Sequence, residues 1–396
     1  MRHDATAIGI SERLIAQTGI LSSIELCRGE QMASMDNFEF AHRHRKQVVW
    51  MSQNTNTIPL SPKINEAICQ SVNEREYNLY GFKKGVFGLC DAIKADLKME
   101  DWDIHLTNGG IEGLYMANRA FLRPGDEVIA TDPSFMPIHD QVLMAGAKVK
   151  ELDIYHEPWK LTPEHVSDAA TSKSKMLLII DPNNPLGTAY SRQEIRALCE
   201  VAEDRGMFVI DDITYRDFNP LHTLASDFYP EKTIVSYSFS KGCGMAGMRI
   251  GAVLAPPEVM KAIKKFDTNV LGVNVLAQRG ALAALETKKR WLPKLRQICR
   301  KNQDVIKSAV SKVRGAYLPV FPSLANMFCI DIRETGVNPE KVEAMMLQDH
   351  YIHTRAGQYL SKRFGPRFVR VSFSIPTEQC REFAAAFPKV MKALSK

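Results

Sequence analysis

Hydrophobic residues between residues 103 and 255 follow two different spacings. Short runs rich in Val, Ile and Leu predict strands, and these runs are Glu127–Thr131, Lys148–Asp153, Met176–Ile180, Met207–Asp211, Thr233–Tyr237 and Arg249–Ala255. Between them, apolar residues recur every three or four positions, as in amphipathic helices. Strands that alternate with helices are typical of a mostly parallel sheet covered by helices on both faces. We therefore expect an α/β fold for this part of the chain.

One predicted helix, Ser191–Arg205, has recognisable signals at both ends. Ser191 and Glu194 have the spacing of a capping box, and Gly206 is a typical stop. The apolar residues of this helix fall on one face, and they are Ile195, Leu198, Cys199 and Ala202. The pattern thus predicts both the bounds of the helix and the face that it buries.

The chain changes character after residue 273. A long helical stretch, roughly Val273 to Val313, precedes the runs Ala316–Phe321 and Phe328–Ile332, a helix over Pro339–Asp349, the run Phe368–Phe373 and a last helix. This mixture predicts a smaller α+β domain. The first 60 residues show no sheet pattern, and we expect them to pack on that domain. The predicted division is an N-terminal arm that forms part of the small domain (1–60), a large domain (61–295) and a small C-terminal domain (296–396).

Composition narrows the class of protein. The 396 residues suffice for two domains, and 45% hydrophobic with 24% charged residues is ordinary for a globular protein. The net charge of +6 is spread along the chain, so we expect no nucleic-acid binding. The eight cysteines form no CxxC pair, which argues against a metal site and favours buried thiols in a reducing compartment. A charged N-terminus and the lack of an apolar run of about 18 residues predict a cytoplasmic protein without a membrane span.

A glycine-rich segment raises one alternative. Gly242, Gly244 and Gly247 satisfy the GxGxxG pattern of dinucleotide-binding proteins. That pattern binds a pyrophosphate only when a helix follows, because the phosphates lie on the helix N-terminus. Here Arg249–Ala255 follows, and it has the pattern of a strand. We therefore reject the dinucleotide hypothesis.

The same segment contains a lysine in a distinctive setting. Free lysine has a pKa near ~10.4 and is a weak nucleophile, but it becomes a covalent catalyst when it forms an imine with an aldehyde. Ser238, Ser240 and Arg249 around Lys241 are suitable donors for a phosphate on such an aldehyde.

The motif SFSKxxxxxGxRxG resembles the lysine signature of the class I/II aminotransferases, the aspartate-aminotransferase-like family of fold type I. Arg249 follows Lys241 by eight residues, as in the family, and the resemblance extends from about Trp50 to Ser374. It implies a PLP-dependent transferase fold whose large domain binds pyridoxal 5′-phosphate (PLP). It also implies that Lys241 holds PLP as a Schiff base, moves the proton at the substrate Cα, and passes an amino group from an amino acid to a 2-oxo acid.

The resemblance assigns residues around the cofactor ring. Asp212, three residues before Tyr215, matches the aspartate that pairs with the pyridine nitrogen, and Tyr215 matches the tyrosine that binds the 3′-oxygen. Asp211 is the rival for the ring position, but the spacing to Tyr215 favours Asp212. Asn184, in a turn that resembles the family's NPxG motif, is expected to bind the 3′-oxygen and face the substrate carboxylate. Phe135 matches the aromatic residue that stacks on the ring.

The resemblance also assigns a phosphate site and a subunit contact. Gly110 and Ile111 stand at a predicted helix start, where free N–H groups bind anions. Ile111 lacks the polar side chain often found there, so we expect phosphate binding to depend more on Ser238, Arg249 and the backbone. Tyr80 matches the residue that reaches the phosphate of the other subunit, which implies a homodimer with shared active sites.

At the substrate end, Arg370 lies in a strand similar to the one that supplies the family's carboxylate-binding arginine. Asn54 lies in a segment that resembles histidinol-phosphate-aminotransferase-like members, at a position that contacts the substrate carboxylate. Arg355 is a candidate for meeting an acidic or phosphorylated substrate side chain.

Two other classes of function stay open at this point. A PLP-dependent lyase, decarboxylase or racemase shares the first half-step, and the sequence does not show which substrate bond is broken. A PLP-sensing regulator is disfavoured, because such proteins carry a DNA-binding domain and no helix-turn-helix pattern fits the first 50 residues.

Overall fold

The computed structural model describes residues 37–82, 84–269 and 271–395. The strands are β1 (Val49–Trp50), β2 (Asp103–Thr107), β3 (Glu127–Asp132), β4 (Lys148–Asp153), β5 (Ser174–Ile180), β6 (Phe208–Asp212), β7 (Thr233–Ser238), β8 (Gly251–Ala255), β9 (Met327–Asp331), β10 (Ile352–His353), β11 (Arg355–Ala356) and β12 (Phe368–Ser372). A helix over 37–43 precedes α1 (Pro62–Asn73), α2 (Leu89–Leu97), α3 (Gly110–Phe121), α4 (Met136–Met144), α5 (Pro163–Ala169), α6 (Arg192–Asp204), α7 (Pro257–Ile263), α8 (Val275–Glu286), α9 (Lys288–Val310), α10 (Pro339–His350) and α11 (Thr377–Leu394).

Seven strands form the main sheet, in the order β2–β8–β7–β6–β5–β3–β4. Strand β8 is antiparallel to both of its neighbours, and the other strand pairs are parallel. The predicted mostly parallel sheet is therefore confirmed. Strand β8 starts two residues later than predicted because Arg249 has φ 55°, which is a left-handed conformation that a strand does not contain.

Helices cover both faces of this sheet. Neighbouring strand residues alternate between two apolar clusters: Val128 and Met176 pack in one with α3, whereas Ile129 and Leu177 pack in the other with α6. This alternation follows from the two-residue repeat of a strand. Helix α6 begins as predicted, since Ser191 Oγ accepts from Glu194 N at 3.3 Å and Glu194 Oε2 accepts from Ser191 N at 2.7 Å.

The C-terminal region forms a separate, antiparallel sheet in the order β11–β12–β9, packed with α9, α10 and α11. The predicted strand Ala316–Phe321 is wrong: only Tyr317 pairs, in an isolated bridge with Asp331. Pro319 and Pro322 lack the N–H that a continuing strand needs. The long predicted helical stretch is two helices, divided at Thr287, whose hydroxyl donates to Ala283 O at 2.7 Å.

The described part of the N-terminal arm packs on this smaller region. Strand β1 pairs in parallel with β10, and Ala41 and Val48 share an apolar cluster with Leu347 of α10. Residues 1–36, including Cys27, lie outside the described residues. Of the seven described cysteines, all are free and five are buried, while Cys69 is exposed and Cys90 is half-buried. In the described chain, no helix has the length and apolar character needed to cross a membrane.

Candidate active site

A cavity of about 520 Å³ lies where the carboxyl ends of β5, β6 and β7 face the smaller sheet. Ends of neighbouring strands in open α/β sheets are the usual place for a ligand site. Of the residues assigned above to cofactor or substrate, all but Tyr80 line this cavity, namely Asn54, Gly110, Ile111, Phe135, Asn184, Asp212, Tyr215, Ser238, Ser240, Lys241, Arg249, Arg355 and Arg370. The side chain of Tyr80 is instead 83% exposed at the surface.

Lys241 follows β7 and extends its amine into the cavity, where Nζ donates to Gln53 O at 2.8 Å. Burial lowers the pKa of Lys241 to about 7, and the positive charges of Arg370 and Arg249 act in the same direction, against the opposing effect of Asp212. A large fraction of this amine is therefore unprotonated near neutral pH. An unprotonated amine is the form that attacks an aldehyde.

Asp212 is the last residue of β6 and is buried beside the cavity. Its Oδ1 accepts from Thr214 Oγ1 at 2.6 Å and from Thr214 N at 3.2 Å. Burial raises the pKa of Asp212, while the two Thr214 bonds and the charge of Lys241 oppose that rise. Asp211 does not line the cavity, and its Oδ2 accepts from Ala225 N at 2.9 Å. Of these two carboxylates, the structure places only Asp212 at the cavity.

A buried polar cluster forms part of the cavity wall. Arg370 Nη1 donates to Asn184 Oδ1 at 2.8 Å and Nη2 donates to Ser52 O. Asn54 Nδ2 donates to Tyr215 OH at 3.1 Å. Burial raises the pKa of Tyr215 to about 12, so its hydroxyl keeps its proton near neutral pH.

Arg370 has a hydrogen-bond donor that is not used within the described residues. Its Nε is buried without a hydrogen-bond partner among the described residues. Burial lowers the pKa of Arg370 to about 10, which leaves the guanidinium charged near neutral pH. A buried cation with an unpartnered donor is stabilised by an anion, and a carboxylate matches the guanidinium geometry.

An anion site lies at the start of α3. Gly109 has φ 81° and turns the chain into the helix, so that the first-turn N–H groups of Gly110 and Ile111 have no partner within the helix. A Cβ on Gly251 would come within 2.7 Å of Gly110 N, so only glycine lets β8 lie this close to the loop. Arg249 is anchored beside it, with Nη2 donating to Asn108 O at 3.1 Å. Backbone donors, the helix dipole and a guanidinium together suit a phosphate.

These groups fit the chemistry of PLP. An amine with a lowered pKa can hold an aldehyde, a buried carboxylate can keep a pyridine nitrogen protonated, and the α3 site can hold a phosphate. Half-buried Phe135 supplies an aromatic face at the cavity wall. Among the described residues, no cluster of His, Cys, Asp or Glu is arranged to hold a metal ion.

Sequence reasoning missed several residues of this site. Ser52 and Gln53 contribute backbone carbonyls to Arg370 and Lys241, and such contacts leave no residue-type signal. Thr214 was also missed, although an aspartate side chain often accepts a hydrogen bond from the backbone N–H two residues later. Phe38 and Tyr359 line the cavity from segments far apart in the chain.

The fold and this set of side chains define a lysine-centred enzyme of fold type I. Residues 46–387 match the family model for aminotransferase class I and II, and the chain belongs to this family. Members of the family depend on PLP.

Individual members of the family share only moderate sequence identity with this chain. An aspartate aminotransferase of Pyrococcus horikoshii is 28% identical over 76% of this chain and 76% of its own. Histidinol-phosphate aminotransferase 2 of Carboxydothermus hydrogenoformans is 27% identical over 84% of this chain and 88% of its own. The structure of aspartate aminotransferase from Thermus thermophilus with maleate superposes with a TM-score of 0.77 at 23% identity, covering 90% of this chain and 96% of that one. The last comparison shows the shared fold.

Proposed function

We propose that this protein transfers the amino group of an amino acid to a 2-oxo acid, with PLP held covalently through Lys241 Nζ. The observation that carries the proposal is the Lys241 amine, with its pKa lowered to about 7, in one cavity with Asp212 and Arg370. When bound, PLP supplies an electron-accepting ring to which the substrate nitrogen is attached.

Each side chain at the ring end of the cavity would have a separate role in the reaction. Lys241 Nζ would take the proton from the substrate Cα and deliver it to the former aldehyde carbon of the cofactor, because its amine exchanges protons readily near neutral pH. Asp212 would keep a proton on the ring nitrogen of bound PLP, and Tyr215 with Asn184 would bind its 3′-oxygen. Phe135 would supply an aromatic face for the ring.

The charged groups at the two ends of the cavity would fix orientation. Arg370 binds the substrate α-carboxylate, with Asn184 holding its Nη1 at 2.8 Å. Asn54 supports this end by donating to Tyr215 OH. The N–H groups of Gly110 and Ile111 would hold the phosphate, together with the side chains of Ser238, Ser240 and Arg249.

Substitution of Lys241 by Ala tests the assignment, with exposed Lys261→Ala as the matched control. Both proteins are incubated with PLP, treated with borohydride and weighed by mass spectrometry. The wild type and the control should gain the mass of the reduced cofactor on the peptide that contains residue 241, and Lys241→Ala should not. Retention of the label by Lys241→Ala would overturn the assignment.

The reaction is tested with a panel of amino acids, each with and without a 2-oxo acid acceptor. Conversion that needs the acceptor and yields a new amino acid supports transamination. Release of ammonia or CO₂, or a racemised product, without any acceptor would show instead a lyase, decarboxylase or racemase.

We infer that the protein acts as a homodimer. The segment around Tyr80 exposes large apolar side chains, with Leu79 75% and Phe87 89% exposed. Monomeric proteins rarely expose such clusters, and a second copy of the chain would cover this one. Leu79→Glu should therefore shift the protein to monomer in sedimentation, whereas Leu221→Glu, at a site 83% exposed and outside this segment, should not. An unchanged sedimentation coefficient for Leu79→Glu would contradict the inference.

The location and the domain limits also remain proposals. The seven described cysteines are free thiols, which suits a reducing cytoplasmic compartment. We place the PLP-binding domain at 61–295 and the small domain at 296–396, joined by residues of the 1–60 arm.

A further inference from the structure

A buried carboxylate, Glu343 of α10, lies directly behind the substrate end of the cavity. Its side chain is only 3% exposed, and its Oε2 accepts from Ala356 N at 2.6 Å. Its Oε1 lies 3.9 Å from Arg355 Nη1 and 3.4 Å from His353 Nε2. A carboxylate this deeply buried is destabilising unless a cation or hydrogen bonds compensate its charge. Arg355 is thus the natural counter-ion.

Arg355 lines the cavity, and aromatic rings hold its guanidinium. The Cζ atom lies 3.9 Å from the ring centroid of Tyr359 and 4.9 Å from that of Phe38. Such contacts restrain the faces of the guanidinium but leave its edge free to form hydrogen bonds. Glu343 is the anion near that edge, so its position decides how the guanidinium turns.

The other side of the carboxylate faces His353, although no hydrogen bond joins Glu343 Oε1 to His353 Nε2. His353 is fully buried, and its Nδ1 lies 3.1 Å from Ser52 Oγ. The ring of His353 therefore contacts Ser52 through Nδ1 and faces the carboxylate through Nε2. Ser52 also accepts from Arg370 through its backbone oxygen. Ser52, His353 and Glu343 therefore lie in a row between the two arginines of the cavity.

We propose that Glu343 is a positioning residue, which fixes Arg355 relative to Arg370 so that both guanidinium groups bind one substrate with two anionic groups. This inference rests on the proposed function, in which Arg370 binds the α-carboxylate. The second anionic group, a carboxylate or a phosphate, would bind the free edge of Arg355.

The test measures binding of three probes to the PLP-loaded full-length protein by calorimetry. Succinate carries two carboxylates, 3-phosphonopropionate carries a carboxylate and a phosphonate, and butyrate carries one carboxylate. The wild type should bind at least one of the two-headed anions about tenfold more tightly than butyrate. The preferred one distinguishes a carboxylate from a phosphate partner for Arg355.

Glu343→Gln should weaken that preferred anion about fivefold and leave butyrate within about twofold, because only the preferred anion depends on Arg355. Arg355→Met should abolish the preference. In the Arg355→Met background, Glu343→Gln should then have no further effect. Glu340→Gln, an exposed change on the same helix, is the control for the charge itself.

Three outcomes would overturn the proposal: no preference of the wild type for either two-headed anion, equal losses for butyrate and the preferred anion, or a Glu343→Gln effect that persists without Arg355. If Glu343→Gln does not fold, His353→Asn is measured with and without Arg355→Met and should show the same dependence on Arg355, because His353 packs against the far side of the carboxylate. Failure of the proposed function would appear separately, as loss of acceptor-dependent conversion in the wild type.

Discussion

The amine of Lys241 should make the cofactor-free protein less stable at pH 7 than a variant without it. Burial lowers the pKa of Lys241 from 10.5 to about 7. Each unit of pKa corresponds to ~1.4 kcal/mol, so the full shift corresponds to roughly 4–5 kcal/mol. The side chain keeps partial contact with solvent, which reduces the expected effect to about 2–3 kcal/mol. Lys241→Met keeps the length of the side chain and removes the amine.

The direction in which stability changes with pH follows from proton binding. Between pH 7 and pH 10.5 the unfolded chain binds a proton at Lys241 that the folded chain binds only partly. The free energy of unfolding of the wild type therefore rises with pH in this window. Lys241→Met lacks this contribution, so its advantage over the wild type is largest near pH 7 and shrinks as the pH rises.

The assay is urea unfolding of cofactor-free wild type and Lys241→Met at pH 7 and pH 9, at equal protein concentration. The gap between the two proteins should narrow by about 1–2 kcal/mol between these pH values. Exposed Lys261→Met is the control and should follow the wild type. Parallel pH dependences for wild type and Lys241→Met would refute the buried, partly unprotonated amine.

Three further predictions concern the same cavity. Asp212→Asn should retain PLP but lower kcat about 100-fold or more, because a neutral amide does not keep the ring nitrogen protonated. Asp211→Asn should instead mainly lower the midpoint of thermal unfolding, and equal kcat values for the two variants would contradict this difference in roles. Arg370→Met should raise KM for every amino-acid donor by about 10- to 100-fold, because it removes charge-assisted hydrogen bonds worth ~1.5–3 kcal/mol. An unchanged KM would exclude Arg370 from carboxylate binding. Gly251→Ala places a Cβ 2.7 Å from Gly110 N and should weaken PLP binding in a fluorescence titration; unaltered affinity would remove the α3 loop from phosphate binding.

Local patterns predicted the central sheet well. Strand β4 has its predicted bounds, and the lysine segment lies at the cavity, because both depend on residues close together in the chain. The run Ala316–Phe321 has the composition of a strand, but its prolines prevent a ladder, so composition alone misled the prediction.

Contacts between distant segments could not be predicted in the same way. Ser52, His353 and Glu343 meet only because β1 pairs with β10 and α10 packs beside them. Neither Glu343 nor His353 lies in a motif, and Ser52 lies 301 residues from His353, beyond the reach of any periodic pattern. The walls of the cavity that select the substrate are therefore the part that the sequence left open.

The adjacent carboxylates at the end of β6 make this strand intolerant of slippage. Because successive residues of a strand point to opposite faces, a one-residue offset would put Asp211 in the position of Asp212 or Asp212 in the position of Asp211. The buried hydrogen bond from Ala225 N to Asp211 Oδ2 fixes Asp211 on the face away from the cavity and so opposes such an offset. A single-residue insertion in the preceding turn, near Gly206, should accordingly be absorbed by the turn rather than transmitted along the strand.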